Sequence, residues 1–174
     1  MKHLLTGLAV AAAAAFSFVA GATTSAQAEE LAASQPAHLY VGAGFFDVGD
    51  SSEEASAVFD IGYIPDYNII WEIRPLVGAF VNTDGAVYGH VGFSRSIFLT
   101  DNFLTRLQVG FGAYGEGNSK DLGQVFEFRE QIEFGWQFDD GSMISAYFWH
   151  LSNAGISEDN PGVNAAGLHY SMAF

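Results

Sequence analysis

The stretch "FEFREQIEFGWQF", residues 126–138, carries two different sequences interleaved. Its even positions are Phe126, Phe128, Glu130, Ile132, Phe134, Trp136 and Phe138; its odd positions are Glu127, Arg129, Gln131, Glu133, Gly135 and Gln137. Successive side chains of a strand point to opposite faces. One face of this strand is therefore aromatic and aliphatic, and the other is charged. A soluble sandwich turns such an apolar face inward, whereas a membrane barrel turns it outward. The polar face decides between them. It combines Arg, Glu, Gln and Gly with almost no Lys, a composition suited to the inside of a narrow barrel.

The pattern recurs on both sides of this stretch. In "NIIWEIRPLVGAFV" (68–81), Ile69, Trp71, Ile73, Val77 and Val81 oppose Glu72, Arg74 and Gly78. In "FLTRLQVGFGAY" (103–114), Phe103, Leu107, Val109 and Phe111 oppose Arg106, Gln108, Gly110 and Gly112. Turn-like segments such as "NTDG", "GEGNSKD" and "DDG" separate short alternating runs. Eight strands are predicted, at 38–47, 54–64, 68–82, 85–99, 102–115, 123–138, 142–153 and 164–174. Eight is the smallest even count for an outer-membrane barrel. The fold class expected is an all-β, eight-stranded antiparallel transmembrane β-barrel, with Arg74, Arg106 and Arg129 inside.

The start of the chain belongs to a different class of segment. "MKHLLTGLAVAAAAAFSFVAGATTSAQAEE" has a basic beginning at Lys2, an apolar run, and an A-x-A site at Ala26-Gln27-Ala28. These are the marks of a secretory signal peptide over 1–28, leaving a barrel domain over 29–174. Export without cysteines implies stability without disulfides. The formal charge of −14 becomes −15 once Lys2 is removed, which argues against a nucleic-acid partner. The end of the chain, "GLHYSMAF", places Leu168, Tyr170, Met172 and Phe174 on one face. A terminal Phe behind alternating hydrophobics resembles the signal that hands barrels to their insertion machinery.

The seventh strand, "SMISAYFWHLS" (142–152), is apolar on both faces, so its pattern leaves its direction open. Its outward set is either Ile144, Ala146, Phe148, His150 and Ser152, or Met143, Tyr147, Trp149 and Leu151. In a barrel with both termini periplasmic, this strand ends near the external rim, in the outer leaflet. His150 and Ser152 share a face, which keeps imidazole and hydroxyl within possible hydrogen-bonding reach. That pairing suits nucleophilic catalysis, because a serine hydroxyl is weak until a neighbouring base takes its proton. His38, His90 and His169 belong by pattern to strand ends or the lumen.

"HLSNAGI" followed by "NPG", residues 150–162, resembles the signature of the lipid A 3-O-deacylase (PagL-type) family of outer-membrane barrels. The resemblance implies an outer-membrane serine esterase that removes the 3-position ester-linked acyl chain of lipid A, with lipopolysaccharide as its substrate. It makes Ser152 the nucleophile and His150 the general base, and it favours the outward face for both. Asn153, or backbone N–H groups around Ala154 and Gly155, are the candidate oxyanion donors. The acidic third member of the family pattern lies twelve residues after the serine, where this chain has Asn164. An amide oxygen can hold the imidazole tautomer but supplies no charge; Glu158 in the loop is the alternative. No cofactor is implied, and no His/Cys/Asp/Glu cluster has transition-metal spacing. Divalent cations are expected only as bridges between loop carboxylates and substrate phosphates. Two other classes remain open: a non-enzymatic adhesin-like or structural barrel that uses the acidic loop Asp47, Asp50, Glu53 and Glu54, and an acyltransferase barrel.

Overall fold

A computed structural model describes residues 35–49 and 55–174, with isolated positions 26, 30 and 32. Apart from Ala26, the expected signal peptide lies outside the described residues, as do Asp50, Glu53 and Glu54 of the acidic loop. Eight strands form: β1 (His38–Phe46), β2 (Ser56–Ile64), β3 (Arg74–Asn82), β4 (Val87–Phe98), β5 (Phe103–Gly115), β6 (Phe126–Gln137), β7 (Met143–Ser152) and β8 (Val163–Ala173). Each pairs antiparallel with its neighbour, and β1 pairs with β8, so the sheet closes into a barrel.

Alternation fixes which face turns outward. On β6 the even residues Phe126, Phe134 and Trp136 are exposed, while Glu127, Arg129, Gln131 and Glu133 are buried inside. Exposed Val41, Phe59, Val91, Phe111 and Phe148 continue the apolar wall around the barrel. An apolar belt of this kind, around a closed sheet with no free edges, is the arrangement a bilayer demands.

The lumen is filled. Arg129 Nη2 lies 2.9 Å from Asp60 Oδ1, and both side chains are buried. Tyr147 donates its hydroxyl to Asp60 Oδ2 at 3.0 Å. Glu133 accepts from Ser145 (2.9 Å) and Gln108 (2.7 Å) and faces His169 Nδ1 at 3.3 Å. Arg74 donates to the carbonyls of Pro65 and Pro36. At the loop end, Phe46, Phe80, Tyr88, Tyr114 and Trp149 make an aromatic plug, with Phe80 and Trp149 stacked at 5.0 Å. Lower in the lumen, Gly42 leaves room for the His169 ring, which a Cβ at that position would strike.

One expectation fails at β3. The alternation of "NIIWEIR" predicts strand from residue 68, yet the strand begins at Arg74. Trp71 and Glu72 adopt positive φ (49° and 61°), and Ile73 N–H donates to Ile70 O at 2.9 Å. This is a tight reversal without glycine, and a reversal of two residues alternates polarity just as a strand does. Trp71 therefore projects from the turn at the end bearing the termini. Glu72 is not luminal; it pairs with Arg95 at 3.3 Å on the half-exposed rim.

The β6–β7 turn sets the register of the strand that carries His150 and Ser152. Phe138 N–H donates to Ser142 O (2.8 Å), Gly141 N–H donates to Phe138 O (2.9 Å), and Gly141 sits at φ 81°. Ser142 also donates its N–H and hydroxyl to Asp140 Oδ1, which holds that carboxyl below its ordinary range. The turn locks the pairing of Gln137 with Met143 and hence every pair further up the ladder.

The tryptophans report this inside-out arrangement. Trp136 is 49% exposed and Trp149 is 0% exposed. In vesicles containing brominated lipid, a variant keeping only Trp136 should be strongly quenched, and one keeping only Trp149 should emit almost unchanged. Equal quenching of the two would overturn the assignment of faces.

Candidate functional site

β7 resolves its ambiguity through its inward residues. Trp149 needs the plug, where it stacks on Phe80 and lies 5.0 Å beneath the Arg129 guanidinium. Tyr147 needs Asp60. With Met143, Ser145, Tyr147, Trp149 and Leu151 inside, Ile144, Ala146, Phe148 and His150 face outward, and Ser152 follows them by parity.

His150 is paired on the ladder with Asn164, and its Nδ1 lies 2.8 Å from Asn164 Oδ1. An amide oxygen at Nδ1 selects the Nδ1–H tautomer and leaves the Nε2 lone pair bare, the form a general base requires. The opposite edge of the ring leans toward Gly162. A Cβ at Gly162 would meet His150 Cε1 at 2.9 Å and Nε2 at 3.3 Å, and its φ of 65° also disfavours a side chain. Gly162 stands one step beyond the last β7–β8 pair, Leu151–Val163, which is the level of Ser152. Nε2 is thus directed toward the level of Ser152. Among the described residues no hydrogen bond joins the Ser152 hydroxyl to His150. Ser152 itself is 7% exposed and pairs with Phe128 of β6.

The segment after Ser152 is held by Asn153, which is completely buried. Its Nδ2 donates to Leu122 O (3.0 Å) and Asp159 O (2.8 Å), and its Oδ1 accepts Gly155 N–H at 2.9 Å. Its own N–H donates to Asn160 Oδ1 at 3.1 Å. Ala154 and Gly155 both have positive φ, and Ile156 N–H closes the turn on Asn153 O. The side-chain donors of Asn153 and the N–H of Gly155 are therefore committed to the loop itself. Asn160 is different: its oxygen is fixed beside Asn153, the residue after Ser152, and its amide N–H groups have no hydrogen-bond partner among the described residues. Composition gives no hint of this, because the fixing bond spans seven residues of loop.

Glu158 is exposed in the same loop and makes no hydrogen bond among the described residues. Glu130, across the other flank of β7, is the ladder partner of His150. His38, His90 and His169 are buried in the lumen. The described residues contain no group of three metal-ligating side chains. A cavity at the loop-end mouth, lined by Asp47, Asp84, Lys120 and Asp121, shares only Pro161 with this segment.

The fold and the site together define a transmembrane β-barrel whose His–Ser pair lies on its outer wall. The sequence model of the Lipid A 3-O-deacylase (PagL) family matches residues 69–173, β3 to β8, and the chain belongs to this family. It is 36% identical over 93 residues to Lipid A deacylase PagL of Bordetella bronchiseptica (strain ATCC BAA-588 / NCTC 13252 / RB50). That alignment covers 49% of this chain and 52% of the relative, so it spans about half of the relative's length. Among solved structures, the barrel resembles the outer membrane enzyme PagL with TM-score 0.56 and 16% identity, over 79% of this chain and 99% of that one. A de novo designed transmembrane β-barrel gives TM-score 0.54 at 12% identity, over 79% and 95% of the two chains. At these identities the likeness is one of fold.

Asn153→Ala removes three side-chain hydrogen bonds from the loop, each worth about 0.5–1.5 kcal/mol. Proteolytic nicking within 153–162 should rise steeply while the barrel's thermal transition stays put. A lowered barrel transition with no gain in nicking would contradict the role assigned to Asn153.

Proposed function

We propose that this chain is a serine esterase of the outer membrane that removes the 3-position ester-linked acyl chain of lipid A. The observation that carries the reading is the His150 imidazole, held at Nδ1 by Asn164 and leaning over Gly162 toward the level of Ser152, on a wall that otherwise faces lipid. Family membership supports the substrate class.

In the reaction, Ser152 Oγ attacks the acyl carbonyl while its proton passes to His150 Nε2. The tetrahedral intermediate collapses as the imidazolium returns that proton to the departing sugar hydroxyl. An acyl-Ser152 ester remains. Water, deprotonated by the same imidazole, then releases the fatty acid and restores the serine. Asn160 N–H groups are the donors best placed for the oxyanion, because its amide is anchored next to Ser152 and is otherwise unspent. Below the pair, Ala146 lies between Phe134 and Leu168 on the ladder, and Ala166 lies beside Phe148. These small residues leave a recess among large ones where an acyl chain can lie. Trp136 and Tyr170 continue the same wall. No resident cofactor enters this scheme; divalent cations act as bridges between loop carboxylates and substrate phosphates.

Mass analysis of lipid A from cells expressing the wild type and Ser152→Ala tests the reading. Loss of one acyl chain with the wild type alone is expected. Gain of a chain would indicate a transferase, and no change with either would favour a structural barrel. Asn164→Ala should slow turnover roughly 2- to 13-fold, the equivalent of about 0.5–1.5 kcal/mol of one neutral hydrogen bond. Glu158→Ala should be nearly silent; abolished turnover would make the loop carboxylate the third member instead.

Chelation separates bridging from chemistry. A short neutral ester should be hydrolysed fully in chelator, while hydrolysis of lipid A falls, because charges of one sign repel over a screening length of about 8–10 Å. Equal loss on both substrates would argue for a metal in the chemical step.

A further inference from the structure

The outward face of β6 is apolar except at one position. Glu130 is exposed on it, between Phe128 and Ile132 on its own strand. Phe126 and Phe128 separate it from the loop end, so it does not stand at the rim. Among the described residues it makes no hydrogen bond or ion pair. A carboxylate on a lipid-facing wall is costly to maintain, and such residues pair with a partner or serve a function. Its ladder partner is His150. Directly opposite residues hold their Cβ atoms about 4.5–5.5 Å apart on the same face. His150 is thus flanked by the neutral amide of Asn164 on β8 and by a carboxylate on β6. No other acidic side chain sits on the ladder beside it, and Glu158 lies in the exposed loop.

We propose that Glu130 is the positioning residue that supplies negative charge to the His150 imidazolium formed when Ser152 attacks. The assignment rests on the esterase reading above. Asn164 and Glu130 divide between them what one carboxylate does in a Ser–His–acid arrangement. The amide oxygen fixes the tautomer through Nδ1, and Glu130 stabilises the charged ring through space from the opposite flank. On an apolar wall that faces lipid, the field of one carboxylate is screened less than in bulk water. Glu130 forms no bond to substrate and gives up no proton. Its effect belongs to the charged transition state and is absent from substrate binding, which places it in kcat and not in KM.

The test uses the full-length barrel in mixed micelles with lipid A. Glu130→Gln keeps shape and removes charge. It should lower kcat about tenfold, the effect of one nearby opposite charge on an ionised group, with KM unchanged. Asn164→Glu brings a carboxylate to the other flank. In the Glu130→Gln background it should restore kcat to within a few-fold of wild type, and in the wild-type background it should help much less. Heat-modifiable migration confirms that each variant is folded. A folded Glu130→Gln enzyme with wild-type kcat overturns the proposal, and so does a loss that Asn164→Glu does not restore. If the wild type releases no acyl chain, the esterase reading itself fails and this assignment with it. An active wild type, an inactive Ser152→Ala and an indifferent Glu130→Gln sink this assignment alone.

Discussion

Nine residue pairs between β1 and β8, from His38–Ala173 to Phe46–Ala165, remove the last two open edges of the sheet. In hydrocarbon an unpaired backbone amide has no water to turn to, so closure is the condition for the strands to lie in a membrane at all. Everything else follows from it. Closure at eight strands leaves an interior only wide enough for side chains. That interior must accept every second residue of each strand, and its polar groups must satisfy one another there.

The barrel meets that demand with opposite charges. Arg129 is shared by Asp60, Gln131 and the face of Trp149, and Glu133 collects donors from β5, β6 and β7. Without Arg129, Asp60 would keep only the Tyr147 hydroxyl and the His169 ring as luminal partners. The same crowding sets the site. Trp149 and Tyr147 are drawn inward by the plug and by Asp60, and His150, between the inward Trp149 and Leu151, has only the outer wall left.

Much of this is legible in the sequence. The period of two in β6 reports both faces, and Arg74, Arg106 and Arg129 are inside as the pattern implies. The parity of His150 and Asn164 places them together. Other features depend on information that alternation does not carry. The reversal at Trp71–Glu72 has no glycine to mark it, and its polarity mimics a strand. The face of β7 is settled by partners on other strands, so its own sequence reads both ways. Asn153 is held by carbonyls from two loops. Glu130 escapes a reading by face composition because one carboxylate among seven residues does not alter the character of a face. Only the register fixed by the Asp139–Asp140–Gly141 turn reveals what stands opposite it.

Under the esterase reading proposed above, the plugged lumen has a consequence for how the site would meet its substrate. Among the described residues the lumen is filled by side chains, so the approach to His150 and Ser152 is from the outer wall. For a lipid substrate the relevant concentration would then be a mole fraction within one leaflet, and the search would take place in two dimensions. Bulk dilution of a membrane suspension leaves that search unchanged, whereas spreading the same lipid among inert neighbours slows it. The lateral organisation of the membrane would thereby become part of the kinetics of the proposed reaction.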